Sequence, residues 1–209
     1  MTHTLHRAGT PENLSNDYVI FAMSAKGHNE LGSAQKMQEF FHIAHRHNPV
    51  NMGDMKTGSI LTLETEVILE KIQDTSIVHA VFTDLDAVAA VLRDLMAVDL
   101  GLSIVVSGLT DPLKHTCRDL GLSPSLHTIE YSLGIWGKVD LLPPAEVLEV
   151  STMCGHGQVA FRLIEKAAAD VKAGRTTPAV AAARLAETCV CGVFNPLRAA
   201  ELLRKMAQV

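Results

Sequence analysis

Three of the four cysteines lie in two short segments near the end of the chain, each containing glycine. The first segment is 153–157 (MCGHG) and the second is 189–192 (CVCG). Thiolates and imidazoles are the ligands that thiophilic transition metals prefer in proteins. The two segments therefore predict one metal site, with Cys154, Cys189 and Cys191 as its ligands.

The residues around these cysteines fit the same interpretation. Each segment precedes a predicted helix, and a helix N-terminus offers unpaired N–H groups and a partial positive charge that stabilise thiolates. Gly155 and Gly192 lack side chains, so their backbone can approach a bulky inorganic group and donate N–H hydrogen bonds to its sulfides. We expect both glycines to belong to a cofactor-binding site.

An iron–sulfur cluster, of the [4Fe–4S] type, is the cofactor that this pattern favours. Such clusters usually have four cysteine ligands, and these segments supply three. Either His156 is the fourth metal ligand, or one iron stays open to water or substrate and acts as a Lewis acid. In the second case His156 serves as a general acid or base, because its pKa suits proton transfer near neutral pH.

Zinc bound by three cysteines and His156 is the direct alternative. Paired zinc ligands are usually separated by about two to four residues, whereas one residue separates Cys154 from His156 and Cys189 from Cys191. Two further interpretations stay open: a redox or nucleophilic cysteine, and plain buried side chains beside helix-ending glycines. Cys117 falls on the apolar side of a predicted helix, which is typical of a buried structural cysteine.

Three residues outside the cysteine segments are candidates for substrate contacts. Lys26 lies in a glycine-containing loop that follows a predicted strand and leads into a helix, which suits either an anion site or a plain turn between the two elements. Asp111 and His115 lie in the first turns of the helix that follows the strongest predicted strand (102–107), where a helix cap with a solvated face is the alternative interpretation. We expect a small anionic molecule as the substrate.

The first two thirds of the chain predict an α/β fold. Predicted strands at 18–24, 58–63, 76–82, 102–107 and 126–133 alternate with helical segments, while 48–58 is predicted as an irregular loop because of its proline and glycines. Such alternation is typical of a mostly parallel sheet, whose ligands bind at the carboxyl ends of the strands.

The last third predicts a small helical lobe that carries the cysteines. Pro178 and Pro196 each follow a capping residue, Thr177 and Asn195, which predicts two helix starts. The expected organisation is a flexible N-terminus (1–16), an α/β domain (17–140) and a helical cysteine-containing lobe (141–209).

Composition limits the classes of partner and compartment. The formal charge of −5 and an aromatic content of 4% argue against nucleic-acid binding, and we expect no membrane association. No signal-peptide pattern opens the sequence, which favours the cytoplasm. With 47% hydrophobic residues and an alanine-rich helix at 178–186, the chain predicts a homodimer or higher homo-oligomer.

The leading functional hypothesis is an iron–sulfur-dependent lyase-type enzyme that performs elimination, hydration or heteroatom removal on the anionic substrate. A non-catalytic cluster or electron-transfer module is an alternative. So is a zinc protein whose function lies in the α/β domain, or a metal-free protein that binds a nucleotide or carboxylate.

Overall fold

The computed structural model describes residues 6–126, 128–129 and 136–208. The strands are β1 (Tyr18–Met23), β2 (Asn51–Asp54), β3 (Gly58–Ser59), β4 (Ile77–Phe82) and β5 (Ser103–Ser107). The helices are α1 (Pro11–Leu14), α2 (Ser33–His45), α3 (Thr65–Lys71), α4 (Leu85–Val98), α5 (Thr110–Asp119), α6 (Ala145–Ser151), α7 (Phe161–Lys172), α8 (Pro178–Glu187) and α9 (Pro196–Ala207), with a 3₁₀ turn at Val139–Leu141. Most of the predicted strand 126–133 lies outside the described residues.

The sheet has the order β3-β2-β4-β1-β5, and every neighbouring pair of strands is antiparallel. The prediction of a mostly parallel sheet is therefore wrong. Strand β1 lies between β4 and β5, and it pairs with β4 through Ile20 and Ala80 and with β5 through Ile20 and Val106.

The prediction fails because of the sheet position to which each crossover connection leads. Both β1-α2-β2 and β4-α4-β5 join strands that run in the same direction, as the alternation predicts. Each crossover, however, skips one position, and a strand of the other unit fills that position in the opposite direction. This is the split βαβ arrangement, in which parallel connections build an antiparallel sheet.

Strand β1 supplies both hydrophobic cores. Tyr18 and Ile20 face one side, where they pack with buried residues of α2, α4 and α5; we call this the α2–α4 core. Val19 and Phe21 face the other side and pack with α6 to α9, which form the lobe core. Because both faces of the sheet are covered, β1 is a continuous apolar run although its neighbours are antiparallel.

The two predicted helix caps of the lobe, Thr177 and Asn195, are confirmed. Thr177 accepts a hydrogen bond from the backbone N–H of Val180, and Asn195 accepts one from Arg198, with proline at the first position of α8 and of α9. Helix α8 packs on both α7 and α9, so its buried alanines are covered within the lobe. The homo-oligomer stays a prediction that light scattering would test.

A buried polar network ties the N-terminal segment to the sheet and the lobe. Arg198 donates from Nη1 to Asp17 at 2.9 Å and from Nη2 to Asn13 at 2.7 Å. Asp17 also pairs with Arg7 and accepts a hydrogen bond of 3.0 Å from Asn195. Residues 6–16, part of the predicted flexible segment, contribute helix α1 and these contacts, whereas 1–5 lie outside the described residues. The domain boundary near residue 140 stays a prediction.

Within the described part of the chain, none of the helices is both long enough and apolar enough to cross a membrane.

Candidate metal centre

Two interhelical loops bring the predicted cysteine ligands together. The loop 152–160 follows α6 and carries Cys154, and the loop 188–195 follows α8 and carries Cys189 and Cys191. The backbone N–H of Cys154 donates to Ser151, and that of Cys189 donates to Ala186, so both cysteines lie in turns just past a helix C-terminus. The expected positions at helix starts are wrong, because α7 and α9 begin several residues later.

The side chains in these loops form a continuous line of contacts, which we call the cysteine centre. Its members are Cys154, Cys189, Cys191 and His156. Cys189 Sγ lies 3.7 Å from Cys191 Sγ, and Cys191 Sγ lies 3.7 Å from His156 Nδ1. The Cys154 thiol interacts with that of Cys189. The three cysteines are at most 3% exposed, whereas His156 is exposed to solvent.

The contacts divide the thiols into two types. Contact with the Cys189 thiol lowers the pKa of Cys154 to about 5 and that of Cys191 to about 6, although burial opposes both shifts. The same two contacts raise the pKa of Cys189. Backbone N–H groups, of Gln158 towards Cys154 and of Val193 towards Cys191, stabilise the thiolates further. These contacts therefore favour the thiolate form of Cys154 and Cys191 over that of Cys189.

The line of contacts is not a closed coordination shell. Among the described residues, no group of three or more histidine, cysteine, aspartate or glutamate side chains is arranged to hold a metal ion as the side chains stand. A metal would therefore have to displace thiol protons and gather the four side chains around one point.

Gly192 holds the second loop against the sheet. Its φ is +76°, and an added Cβ would lie 3.0 Å from the backbone carbonyl carbon of Met52 and 3.1 Å from the backbone nitrogen of Gly53. The close approach that we expected of this glycine is therefore to β2. Gly155 is exposed beside Cys154.

Two buried polar residues beneath this loop were missed in the sequence. Ser59 is 1% exposed, its Cβ lies 3.0 Å from the Cβ position of Gly192, and its hydroxyl has no hydrogen-bond partner among the described residues. His79 is 1% exposed, pairs with Gly53 across the ladder, and its ring centroid lies 5.7 Å from that of Phe21. The one available signal was a histidine inside the apolar run 76–82.

The predicted substrate residues do not meet. Lys26 is exposed in the loop after β1, whereas Asp111 and His115 are exposed on α5, which follows β5. Because β1 and β5 are antiparallel, the loops that follow them lie at opposite ends of the sheet. His115 also pairs with Asp119 at 3.4 Å on its own helix.

Cys117 lies far from the cysteine centre in the fold. It is 8% exposed and packs in the α2–α4 core, on the opposite face of the sheet from the lobe. Burial raises the pKa of its thiol. The residue therefore cannot supply a fourth thiolate to the centre without a change of fold.

Comparison of the chain with protein-family models, with curated proteins and with solved structures finds no match in any of the three.

Proposed function

We propose that the chain is a metal protein whose cysteine centre binds one thiophilic ion, zinc in the first place, through Cys154, Cys189, Cys191 and His156. The observation that carries the proposal is the pair of 3.7 Å separations that join Cys191 to Cys189 and to His156. A tetrahedral ion with bonds to sulfur of about 2.3 Å holds its sulfurs about 3.8 Å apart. The sulfurs of Cys189 and Cys191 thus already have the spacing of two ligands of one ion.

The surroundings of the centre support this ligand set. Thiolates and one imidazole make up a common zinc site, and outer hydrogen bonds orient such ligands. The backbone N–H groups of Val193 and Gln158 already contact Cys191 and Cys154. Cysteine ligands bind a metal as thiolates, so binding releases protons and couples to folding.

The ion's main effect would be structural. It would join the loop 152–160 to the loop 188–195, and the second loop is packed on β2 through Gly192. A centre that fixes the lobe onto the sheet leaves any binding or catalytic function to the α/β part of the chain.

An iron–sulfur enzyme is the second candidate, and the exposure of His156 favours it. With three cysteine ligands, one iron of a [4Fe–4S] cluster would lack a thiolate and face the exposed side, where it would act as a Lewis acid on a small anionic substrate. A cluster holds its thiolates on separate irons, farther apart than the ligands of one ion. The buried sulfurs of Cys189 and Cys191 would therefore have to separate.

Metal and sulfide analysis of the full chain purified without oxygen tests the proposal. We expect one zinc per chain, no acid-labile sulfide and a colourless protein. A brown protein with iron and sulfide in equal amounts would refute the zinc proposal in favour of the iron–sulfur cluster. A chain that retains no metal, and that binds neither added Zn²⁺ nor Co²⁺, would refute both candidates.

A further inference from the structure

A large cavity runs along the outer edge of β5, away from the cysteine centre's own ligands. Its volume is about 1100 Å³, and its described walls are β5, the end of α4, the start of α5, residues 6–9, and residues 122–126 with 128–129. No residue of the cysteine centre lines it. The inference drawn from this cavity does not depend on the metal proposal.

Arg7 gives the cavity a buried cationic group with an unused donor. Its side chain is 4% exposed and lines the cavity. Its two Nη atoms donate to Asp17 and to the carbonyl oxygen of Val193, whereas Nε has no hydrogen-bond partner among the described residues. A buried N–H group without a partner is unfavourable, and an anionic oxygen in the cavity would relieve that cost.

The N-terminus of α5 reaches the same end of the cavity. Ser107 pairs with Val19, and a Cβ on Gly108 would meet the ring of Tyr18 at 2.5 Å, so the start of α5 lies beside the segment that holds Asp17 and Arg7. The residue that precedes this ten-residue helix is Leu109, which makes no side-chain cap. Its first N–H groups therefore suit an anion.

The charges around the cavity agree with an anionic ligand. Lys114, one turn into α5, lines the wall and is half-buried. Of the acidic residues in the wall, Asp17 is fully engaged by Arg7 and Arg198, and Asp99 is exposed beyond the end of α4. The rest of the wall includes the apolar side chains of Leu92, Leu95, Leu102 and Leu113.

We propose that this cavity binds a small organic carboxylate, with its charged group at Arg7 Nε and the N-terminus of α5 and its apolar body along β5. The ligand would lie close to the cysteine centre in the hydrogen-bond network. Arg7 donates to the carbonyl oxygen of Val193, and the N–H of Val193 donates to Cys191. Arg7 thus connects the cavity to Cys191 through the single residue Val193.

Isothermal titration calorimetry on the full chain tests the proposal with hexanoate as the probe. Hexanol, which lacks the charge, and inorganic phosphate, which lacks the apolar body, are the matched controls. We expect one hexanoate per chain, affinity that falls as salt rises, and binding at least tenfold tighter than for either control. If hexanol binds as tightly as hexanoate, the cavity does not require a charged group. If phosphate binds as tightly as hexanoate, the cavity does not require an apolar body. Either result would overturn the proposal.

Two variants locate the site. Arg7→Lys keeps the charge but removes Nε, and we expect it to weaken hexanoate binding at least several-fold. Since Arg7 also contacts Asp17, that variant is checked for folding by circular dichroism, and Lys114→Glu provides an independent test at a half-buried position. Lys205→Gln, on the exposed face of α9, is the charge control. Absence of hexanoate binding, or binding that Lys114→Glu leaves unchanged, contradicts the proposal.

Discussion

The side-chain amide of Asn51 donates a hydrogen bond of 2.9 Å to the carbonyl oxygen of Phe194. Asn51 is fully buried in β2, and Phe194 lies in the loop that carries Cys189 and Cys191. This bond joins the sheet to the cysteine centre without any metal.

Asn51→Ala should therefore destabilise the protein in its metal-free form. The substitution leaves the buried carbonyl of Phe194 without a donor, which costs about 1–3 kcal/mol. Urea denaturation in the presence of a chelator measures the loss. Gln73→Ala, at an exposed position, is the control and should stay within about 0.5 kcal/mol of the parent chain. Equal stability of the two variants would contradict a role for this bond.

Substitution of the cysteines separates the metal ligands from the structural cysteine. Cys154→Ser, Cys189→Ser and Cys191→Ser should each lose bound zinc and the stabilisation that zinc provides. Cys117→Ser should keep zinc and lose about 1–2 kcal/mol, because it places a hydroxyl in the α2–α4 core. Metal analysis and thermal unfolding with and without chelator give both readings. Loss of metal in Cys117→Ser would show that the ligand set is wrong.

Local signals in the sequence located most of the elements, while the pairing of strands needed information that local signals do not carry. The caps at Thr177 and Asn195 are confirmed, since each depends on residues within one helical turn. The direction of β1 relative to β4 depends on which strands are neighbours in the sheet. Strand β4 lies between β2 and β1, and local signals do not show this. Strand β2 was missed because Gly53 and nearby Pro49 are typical of loops.

The candidate site shows the same division. The cysteine spacing brought out Cys154, Cys189 and Cys191 because their chemistry is rare and they lie near one another in the sequence. Arg7 was missed because it lies in a polar N-terminal stretch, and only the fold brings it to Asp17 and Val193. Lys26 and Asp111 were grouped on the expectation of parallel strands, and the antiparallel sheet separates them.

Gly192→Ala should cost more than Gly157→Ala, although both glycines have similar backbone angles. The φ angles are +76° and +69°, so each alanine bears about 1–2 kcal/mol for the left-handed conformation. Only at Gly192 does the added Cβ also meet the backbone of β2, whereas at Gly157 nothing lies within 4 Å. We expect this contact to cost Gly192→Ala at least about 1 kcal/mol more in unfolding free energy than Gly157→Ala and to weaken its zinc binding. Equal losses, measured by urea denaturation, would mean that the loop is not held against the sheet.

Asp74 should make the stability of the protein fall at acidic pH. Its carboxylate accepts hydrogen bonds from the backbone N–H of Ala34 at 2.8 Å and of Gly32 at 3.0 Å, at the start of α2, and these hold its pKa below the usual range. Because the folded-state pKa is lowered, the stabilisation is complete above the unfolded-state value of about 3.9 and is lost as pH falls through the folded-state value. Asp74→Asn should therefore be less stable than the parent chain at pH 6 and should lose less stability between about pH 4 and pH 2. Denaturation curves across this range test the expectation, with Asp111→Asn, at an exposed position, as the control. Parallel pH profiles for the parent chain and Asp74→Asn would contradict the assigned role of this carboxylate.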